Sequence, residues 1–566
     1  DYYASRGLGD VYKRQIYKLV KTMKKYILGL SIAAFTISLS GCADFLEEPV
    51  RAQQNLDDYF KSEDECKQQI TGCYQSVFFD DWWQIQKFYI ASDMCTDDMW
   101  MGNTTQDPGE YRDLAHYTGN TYNAGNACQN FWQYRYKGIL RSNVAIEQIP
   151  KVVFENESLK KRYIAEAKFL RAFHYFELVR NFGGVPLVLG LKLPSEITGI
   201  KRATVEDTYA QIEKDLLEAI PDLPKRSEYD AMDLGRATKG AAQGYLAKAY
   251  LYQGKYTEAE PLLQEITCRG EFAGGREEYE LLSDFGQVWD IDQRNSTESL
   301  FEVQTNSDVS YNLGIRIPIV CGSRDDSGWA WGLPTSNLER AFQEEKPVRE
   351  TPEEQLNEDY RLRWTIIKNG ATKVYGDANA KNPYVISPND HKSPRVSRKL
   401  YIPVEKRPTP YDAPHIPLNY RLLRYADVLL MYAEVENELG HDDEAKWALN
   451  KVRDRVYLAP STATGTELRN AIRKERRLEL ALENNRLYDL RRWKDDNGKS
   501  AICNVMGPNG TFVAYNKIGY DSDESSNQKE NSNKGVNFKE GRDELFPLPP
   551  TEITLSGGSI EQNPGY

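Results

Sequence analysis

The stretch Gly244-Tyr245-Leu246-Ala247-Lys248-Ala249-Tyr250-Leu251-Tyr252-Gln253-Gly254-Lys255-Tyr256-Thr257-Glu258-Ala259 decides the fold class. Gly244, Ala247 and Ala259 are small enough for two helices to approach closely, while Tyr245, Leu246 and Tyr250 supply apolar surface at helical spacing. Gly254 falls where the chain must turn back, at a position that needs a positive φ. The spacing predicts helix, turn, helix. Leu429, Tyr432-Ala433, Leu439-Gly440 and Ala445 repeat that pattern further along the chain.

Both stretches read as units of tetratricopeptide type, which normally stack in tandem so that each buries its face on the next. Here they lie about 190 residues apart, so the intervening chain must fold around them. Two more helices are predicted upstream. Phe169, Ala172, Phe173, Phe176 and Val179 form an apolar stripe in Tyr163–Arg180, ended by Gly183-Gly184 and Pro186. Tyr209, Ile212, Leu216 and Ile220 follow Thr204, an expected N-cap with Asp207 three residues on. The section from about 270 to 415 is rich in Pro, Gly, Asn and Trp, with short β-like runs such as Ser299–Gln304, and Asp521–Gly541 reads as a polar mobile loop. The expected class is mainly α: a tetratricopeptide-like helical-hairpin scaffold with an irregular, loop-rich half.

Composition narrows the function. The chain has 566 residues, 40% hydrophobic and 28% charged, which suits a globular core and excludes disorder, collagen and a multi-span membrane protein for the bulk. A net charge of −12 argues against nucleic acid, whose phosphates need a basic face. Only 5 His are present (His116, His174, His391, His415, His441), so scattered that they argue against a histidine-built metal site.

The N-terminal region reads as an address. Met23-Lys24-Lys25 precedes an apolar run from Tyr26 to Leu39, shorter than the ~20 residues a membrane span needs but suited to a signal peptide over residues 23–41. It ends in Leu39-Ser40-Gly41-Cys42, similar to the lipobox of bacterial lipoproteins, in which the cysteine is acylated and becomes the new N-terminus. Residues 1–22 are expected to lie upstream of the natural start and are set aside. The mature chain carries a net charge of −17, so the lipid rather than a polybasic patch must do the anchoring. Its seven cysteines (66, 73, 95, 128, 268, 321, 503) include no CxxC pair, and Cys66 and Cys73 share one helix face. Neither a disulfide framework nor a zinc site is expected.

Three blocks then carry a resemblance. Ala165-Glu166-Ala167-Lys168-Phe169-Leu170-Arg171-Ala172 runs on to Phe182-Gly183-Gly184-Val185-Pro186-Leu187. Ile472-Arg473-Lys474-Glu475-Arg476-Arg477-Leu478-Glu479-Leu480 leads to Arg486-Leu487-Tyr488-Asp489-Leu490-Arg491-Arg492-Trp493. The chain ends with Leu545-Phe546-Pro547-Leu548-Pro549-Pro550-Thr551-Glu552-Ile553 and Asn563-Pro564-Gly565-Tyr566. In this order, from Cys42 to Tyr566, they resemble the SusD/RagB outer-membrane lipoproteins of Bacteroidetes. Asn484 stands where relatives tend to carry Gly, and Asn tolerates the left-handed conformation such a site uses. The resemblance implies one SusD-like domain over 42–566, an N-terminal part over 42–270 and a SusD/RagB part over 271–566. It implies four tetratricopeptide-like units, no catalysis and no cofactor. It also implies a surface-exposed, lipid-anchored protein of the outer membrane, which passes captured nutrients, usually oligosaccharides, to a SusC-like TonB-dependent transporter.

The residues suggest where a ligand sits. Phe78-Phe79-Asp80-Asp81-Trp82-Trp83, Asp97-Asp98-Met99-Trp100 and Arg324-Asp325-Asp326-Ser327-Gly328-Trp329-Ala330-Trp331-Gly332 mix rings with charged groups. Flat rings stack on the CH faces of sugars, and carboxylates or arginine bond their hydroxyls. Trp100, Trp329 and Trp331 lead the candidates, with Trp82, Asp97 and Arg324 behind them. Trp-Ala-Trp in extended chain is expected to put both rings on one side. Glu475, Arg476, Glu479, Glu483 and Arg486 fall at helical spacings and are expected to pair with one another as scaffold. Asp290, Asp292 and Asn295 offer oxygens without an EF-hand loop, and no metal is expected there. The expected function is capture of a glycan; the alternatives are a peptide-binding protein of RagB type, a surface glycoside hydrolase and a tetratricopeptide adaptor.

One outcome follows from the address alone. Cys42→Ser should move the protein from the membrane to the soluble fraction without changing its melting temperature, since Cys42 precedes every predicted core element. Unchanged partition on cell fractionation overturns the anchor.

Overall fold

The structure, a computed structural model, describes residues 59–79, 83–101, 109–118, 121–192, 194–352, 356–391, 393–512 and 537–566. The signal segment, Cys42, Trp82 and the polar stretch from Asp521 to residue 536 lie outside the described residues. Among the described residues, no helix is long and apolar enough to cross a membrane.

The N-terminal scaffold consists of α1 (Glu63–Phe78), α2 (Gln84–Met94), β1 (Met99–Met101), α3 (Gly109–His116), α4 (Thr121–Gln148), α5 (Glu157–Phe182), α6 (Val205–Ala219), α7 (Lys239–Tyr252) and α8 (Tyr256–Thr267). The irregular half holds β2 (Ser299–Val303), β3 (Gly332–Pro334), α9 (Ser336–Gln343), β4 (Ile366–Lys368) and β5 (Arg395–Ser397). The chain then returns to helices through β6 (Tyr420–Arg424), α10 (Tyr425–Glu438), α11 (Asp442–Arg455), α12 (Gly465–Glu479) and α13 (Arg486–Arg492). The mainly α class stands. The strands pair antiparallel as β1–β3, β2–β6 and β4–β5, each a two-stranded ribbon joining segments far apart in sequence.

Local chemistry sets the helix ends. The Asn156 side chain accepts hydrogen bonds from the Ser158 and Leu159 amides and starts α5, six residues before the predicted stripe. The Thr204 hydroxyl accepts from the Asp207 amide at 3.0 Å, the expected cap of α6. Gly254 (φ +71°) and Gly440 (φ +84°) turn the α7–α8 and α10–α11 hairpins at the two predicted positions. α8 packs on α10, so the hairpins separated by about 190 residues of sequence stack directly, and the irregular half is looped out between them.

The three family blocks meet at the end of α5. Arg180 lies 3.7 Å from the centre of the Tyr488 ring, and Tyr488 donates to Asn181 Oδ1 at 3.0 Å. The Phe546 amide donates to Asn181 O, and Asn563 Nδ2 to Phe182 O.

The charged block is buried scaffold, but its pairing differs from the expectation. α12 ends at Glu479, and the chain passes through left-handed Leu482 and Asn484 before α13 begins at Arg486. The five residues therefore do not share one helix. Each instead finds a distant partner, because the face is turned inward, where solvent cannot stabilise a charge. Arg424 of β6 reaches Glu298 (2.9 Å), Glu479 (2.6 Å) and Glu483 (2.7 Å). Arg361 binds Asp359, Glu475 and Glu479, and Arg455 binds Glu298 and Glu479. Arg476 meets Asp427 and Asp489, and Lys399 meets Glu483. Asp290 and Asp292 both pair with Lys406, which occupies the place a cation would take between them.

Glu479 is the shared anion. Burial alone would raise its pKa, but Arg455, Arg424 and Arg361 hold it well below the usual carboxylate range. Its stabilising effect is therefore present above the ordinary carboxylate pKa and is lost as the pH falls through the depressed folded value. Glu479→Ala leaves three buried guanidinium groups short of an anion and should cost ~3–5 kcal/mol in urea unfolding at pH 7. A loss under ~1 kcal/mol refutes this reading of the network.

Candidate ligand-binding site

Trp83 caps the start of α2 in a left-handed conformation (φ 55°). Lys87, four residues on, lies with Nζ 4.5 Å from the centre of that ring, and the Arg316 guanidinium lies 5.9 Å from it. The second segment is the loop before β3. Trp329, Ala330 and Trp331 donate their amides to Ile319 O, Gly322 O and Val320 O at 2.9–3.0 Å, so this loop is laced to the turn ahead of it. A Cβ at Gly328 would lie 2.2 Å from the Gly322 carbonyl carbon, so only glycine permits that approach. Ala330 and Leu333 sink into a small separate core with Ile367, Tyr384, Ile386 and Val396.

The rings meet there. Trp83 stands 5.5 Å from Trp329, edge to face, and 5.9 Å from Trp331, with Trp329 and Trp331 6.5 Å apart. Tyr111 supports Trp331 from behind at 6.1 Å. The expected pair of rings is brought together, but by a different route. Ala330 has φ +58°, so Trp-Ala-Trp is not extended, and the rings are unequal: Trp329 is 36% exposed and Trp331 only 4%. Trp331 is the underlayer rather than a second open face.

Arg324 lies on the same loop, half-buried, with its amide donating to His391 Nε2 at 3.1 Å. That bond places the His391 proton on Nδ1, facing Ser387 O at 2.8 Å, and burial keeps the ring's pKa below its ordinary value. Asp326 is taken by Arg407 at 2.6 Å.

Two candidates are corrected. Trp100 is 7% exposed and stacks on His116 at 4.5 Å, so its ring is not presented to a ligand; its strand, β1, instead pairs with β3 and steadies the Trp329 loop. Asp97 is buried between Arg477 (2.9 Å) and Arg486 (3.0 Å), which overcome the effect of burial and hold it well below the usual carboxylate range. It is a fully committed ion pair and has no oxygen to offer a sugar. Sequence reasoning placed Trp83 in a candidate stretch but ranked Trp82 in its place, and it passed over Tyr111 and Lys87. The four-residue step from Trp83 to Lys87 was the readable signal; the Trp83–Trp329 encounter had none, since nearly 250 residues separate the two rings. A further cavity of about 390 Å³ lies on the scaffold, lined by Lys239, Glu265 and Arg276, but Lys239 pairs with Glu265 there and Arg276 with Glu278.

A sequence model of the SusD family matches residues 295–566, and one described as starch-binding and associating with the outer membrane matches residues 44–251. The chain belongs to the SusD-like family. Among curated relatives, SusD-like protein P2 of Formosa agariphila is 26% identical, over 96% of this chain and 100% of its own length. The starch-binding protein SusD of Bacteroides thetaiotaomicron is 25% identical, over 71% of this chain and 78% of its own. A solved laminarin-binding SusD-like protein superposes with a TM-score of 0.69 at 27% identity, covering 90% of this chain and 100% of that one. This SusD-like chain shares the fold of that protein over 90% of its length.

The inequality of the two rings predicts unequal melts. Trp331→Ala should cost ~3–5 kcal/mol of folding stability, and Trp329→Ala about 1–2 kcal/mol because a third of its ring already meets water. Equal losses in thermal or urea melts refute the layered arrangement.

Proposed function

We propose that this SusD-like protein captures oligosaccharides at the Trp83–Trp329–Trp331 cluster and delivers them to a SusC-like TonB-dependent transporter, itself performing no catalysis. The observation that carries the reading is one open indole, Trp329, braced edge to face by Trp83 and at a tilt by Trp331, with Lys87 and Arg316 against the Trp83 ring and Arg324 on the same loop. A braced flat ring presents an apolar face to sugar CH groups with little side-chain entropy left to lose, and half-buried cations beside it suit hydroxyl oxygens. The names of the relatives that bind starch and laminarin support glucans as the first ligands to test. The family description supports the outer membrane, and the Leu39–Cys42 sequence supports a lipid anchor with the binding face outward. Asp97, Glu479 and Asp427 do not support hydrolysis: each is held ionised by arginine or lysine, whereas a general acid needs a raised pKa.

Calorimetric titration with malto- and laminari-oligosaccharides should show saturable binding to at least one of them. Trp329→Ala should then weaken it ten- to a hundredfold, about the ~1–3 kcal/mol that loss of a stacked aromatic costs. No sugar binding with saturable peptide binding, or the steady release of new reducing ends, would reverse the proposal.

A further inference from the structure

The turn of the second hairpin brings together three side chains that the aromatic site does not use. His441 directly follows Gly440, and its amide donates to Glu436 O at 2.7 Å, which fixes the imidazole over the end of α10. Its Nδ1 lies 2.7 Å from Glu436 Oε2 and 3.6 Å from Glu260 Oε1, the latter reaching across from α8 of the first hairpin. One ligand atom from each residue falls within 4.8 Å of the other two.

The arrangement is short of positive charge. Glu436 is only 1% exposed, and its Oε1 makes no well-formed hydrogen bond, although the Tyr432 hydroxyl, which donates to Glu444, lies close enough to favour its charged form. Among the described residues, no lysine or arginine pairs with Glu436 or Glu260. A buried carboxylate oxygen without a well-formed hydrogen bond costs free energy that a bound cation would recover. Burial, with the like charge of Glu260, also pushes the Glu436 carboxyl up.

We propose that Glu260, Glu436 and His441 bind a divalent transition cation of the zinc class, which clips the first helical hairpin to the turn of the second. One imidazole and two carboxylates are a borderline donor set that suits zinc, whereas calcium takes six to eight oxygens. The His441 side chain is 53% exposed, which leaves a coordination position open to water on the solvent side. In the bound state Nδ1 gives its lone pair to the metal and the neutral ring carries its one hydrogen on Nε2, any other proton on the ring leaving to solvent. The paucity of histidines argued against such a site at the level of sequence, because the three ligands come from two hairpins about 180 residues apart.

The test uses the full chain after treatment with EDTA, titrated with zinc chloride by calorimetry and melted at each step. The expected result is one saturable site and a rise in melting temperature, with magnesium and calcium chloride giving neither. His441→Ala should weaken zinc at least tenfold; it also takes the partner from Glu436 Oε2, so its metal-free melt is recorded separately and the zinc-dependent rise is what is compared. Glu260→Gln, on a separate helix, should likewise weaken zinc, and His415→Ala, beside Asp412 elsewhere, should leave zinc affinity unchanged. Zinc binding that survives both His441→Ala and Glu260→Gln overturns the proposal, as does a site lost in His415→Ala or filled equally well by calcium.

Discussion

The fold depends on a buried ionic knot around Arg424, Glu479 and Glu483. Arg424 lies in β6 at the junction where the irregular half hands the chain back to the helices. Its partners come from before β2 (Glu298), the end of α12 (Glu479) and the turn after it (Glu483). Arg361 and Lys399 add two more segments of the irregular half to the same carboxylates. A charge held out of water is tolerable only when every partner is in place, so the knot closes in one arrangement of its strands and helices. This is specificity rather than net stability: a hydrophobic cluster could hold the same elements together, but with less control over their register.

That arrangement is what allows a long, irregular excursion to end in a defined site. The segment between the hairpins carries only short strands, each of which pairs with a distant segment. β1 and β3 bring the Asp97–Met101 segment beside the Trp329 loop, while Arg477 and Arg486 clamp Asp97 from the helical side. The aromatic cluster therefore rests on the helical scaffold through Trp83, which starts α2, and on the small second core through Ala330. An indole braced on both sides costs little to order when a ligand arrives, which is why the rigid helical stack matters to a binding surface made of loops.

The two hairpins illustrate how far pattern reaches. Gly254 and Gly440 could be assigned to turns from spacing alone, as could Thr204 to a cap and Gly183-Gly184 to a helix stop, because each is a local demand of the backbone. That the hairpins stack on one another was hidden, since the excursion between them says nothing of where it returns. The charged block shows the same boundary: its burial as scaffold was legible, but its partners were not, because helical spacing governs exposed faces and this face is turned inward.

By itself, the sequence determined the helical class, both hairpin turns, the family and the loop that carries the open tryptophan. Those follow from periodicity, glycine placement and three long blocks of residues, all properties of neighbouring positions. Tertiary structure decided the rest: that Trp331 and Trp100 are covered, that Asp97 is an ion-pair anchor, and that Trp83 completes the ring cluster. An Asp that could bond a sugar and an Asp locked between two arginines are the same letter in the chain. What separates them is the desolvation that comes when Arg477 and Arg486 fold over Asp97, and that depends on contacts nearly 400 residues away.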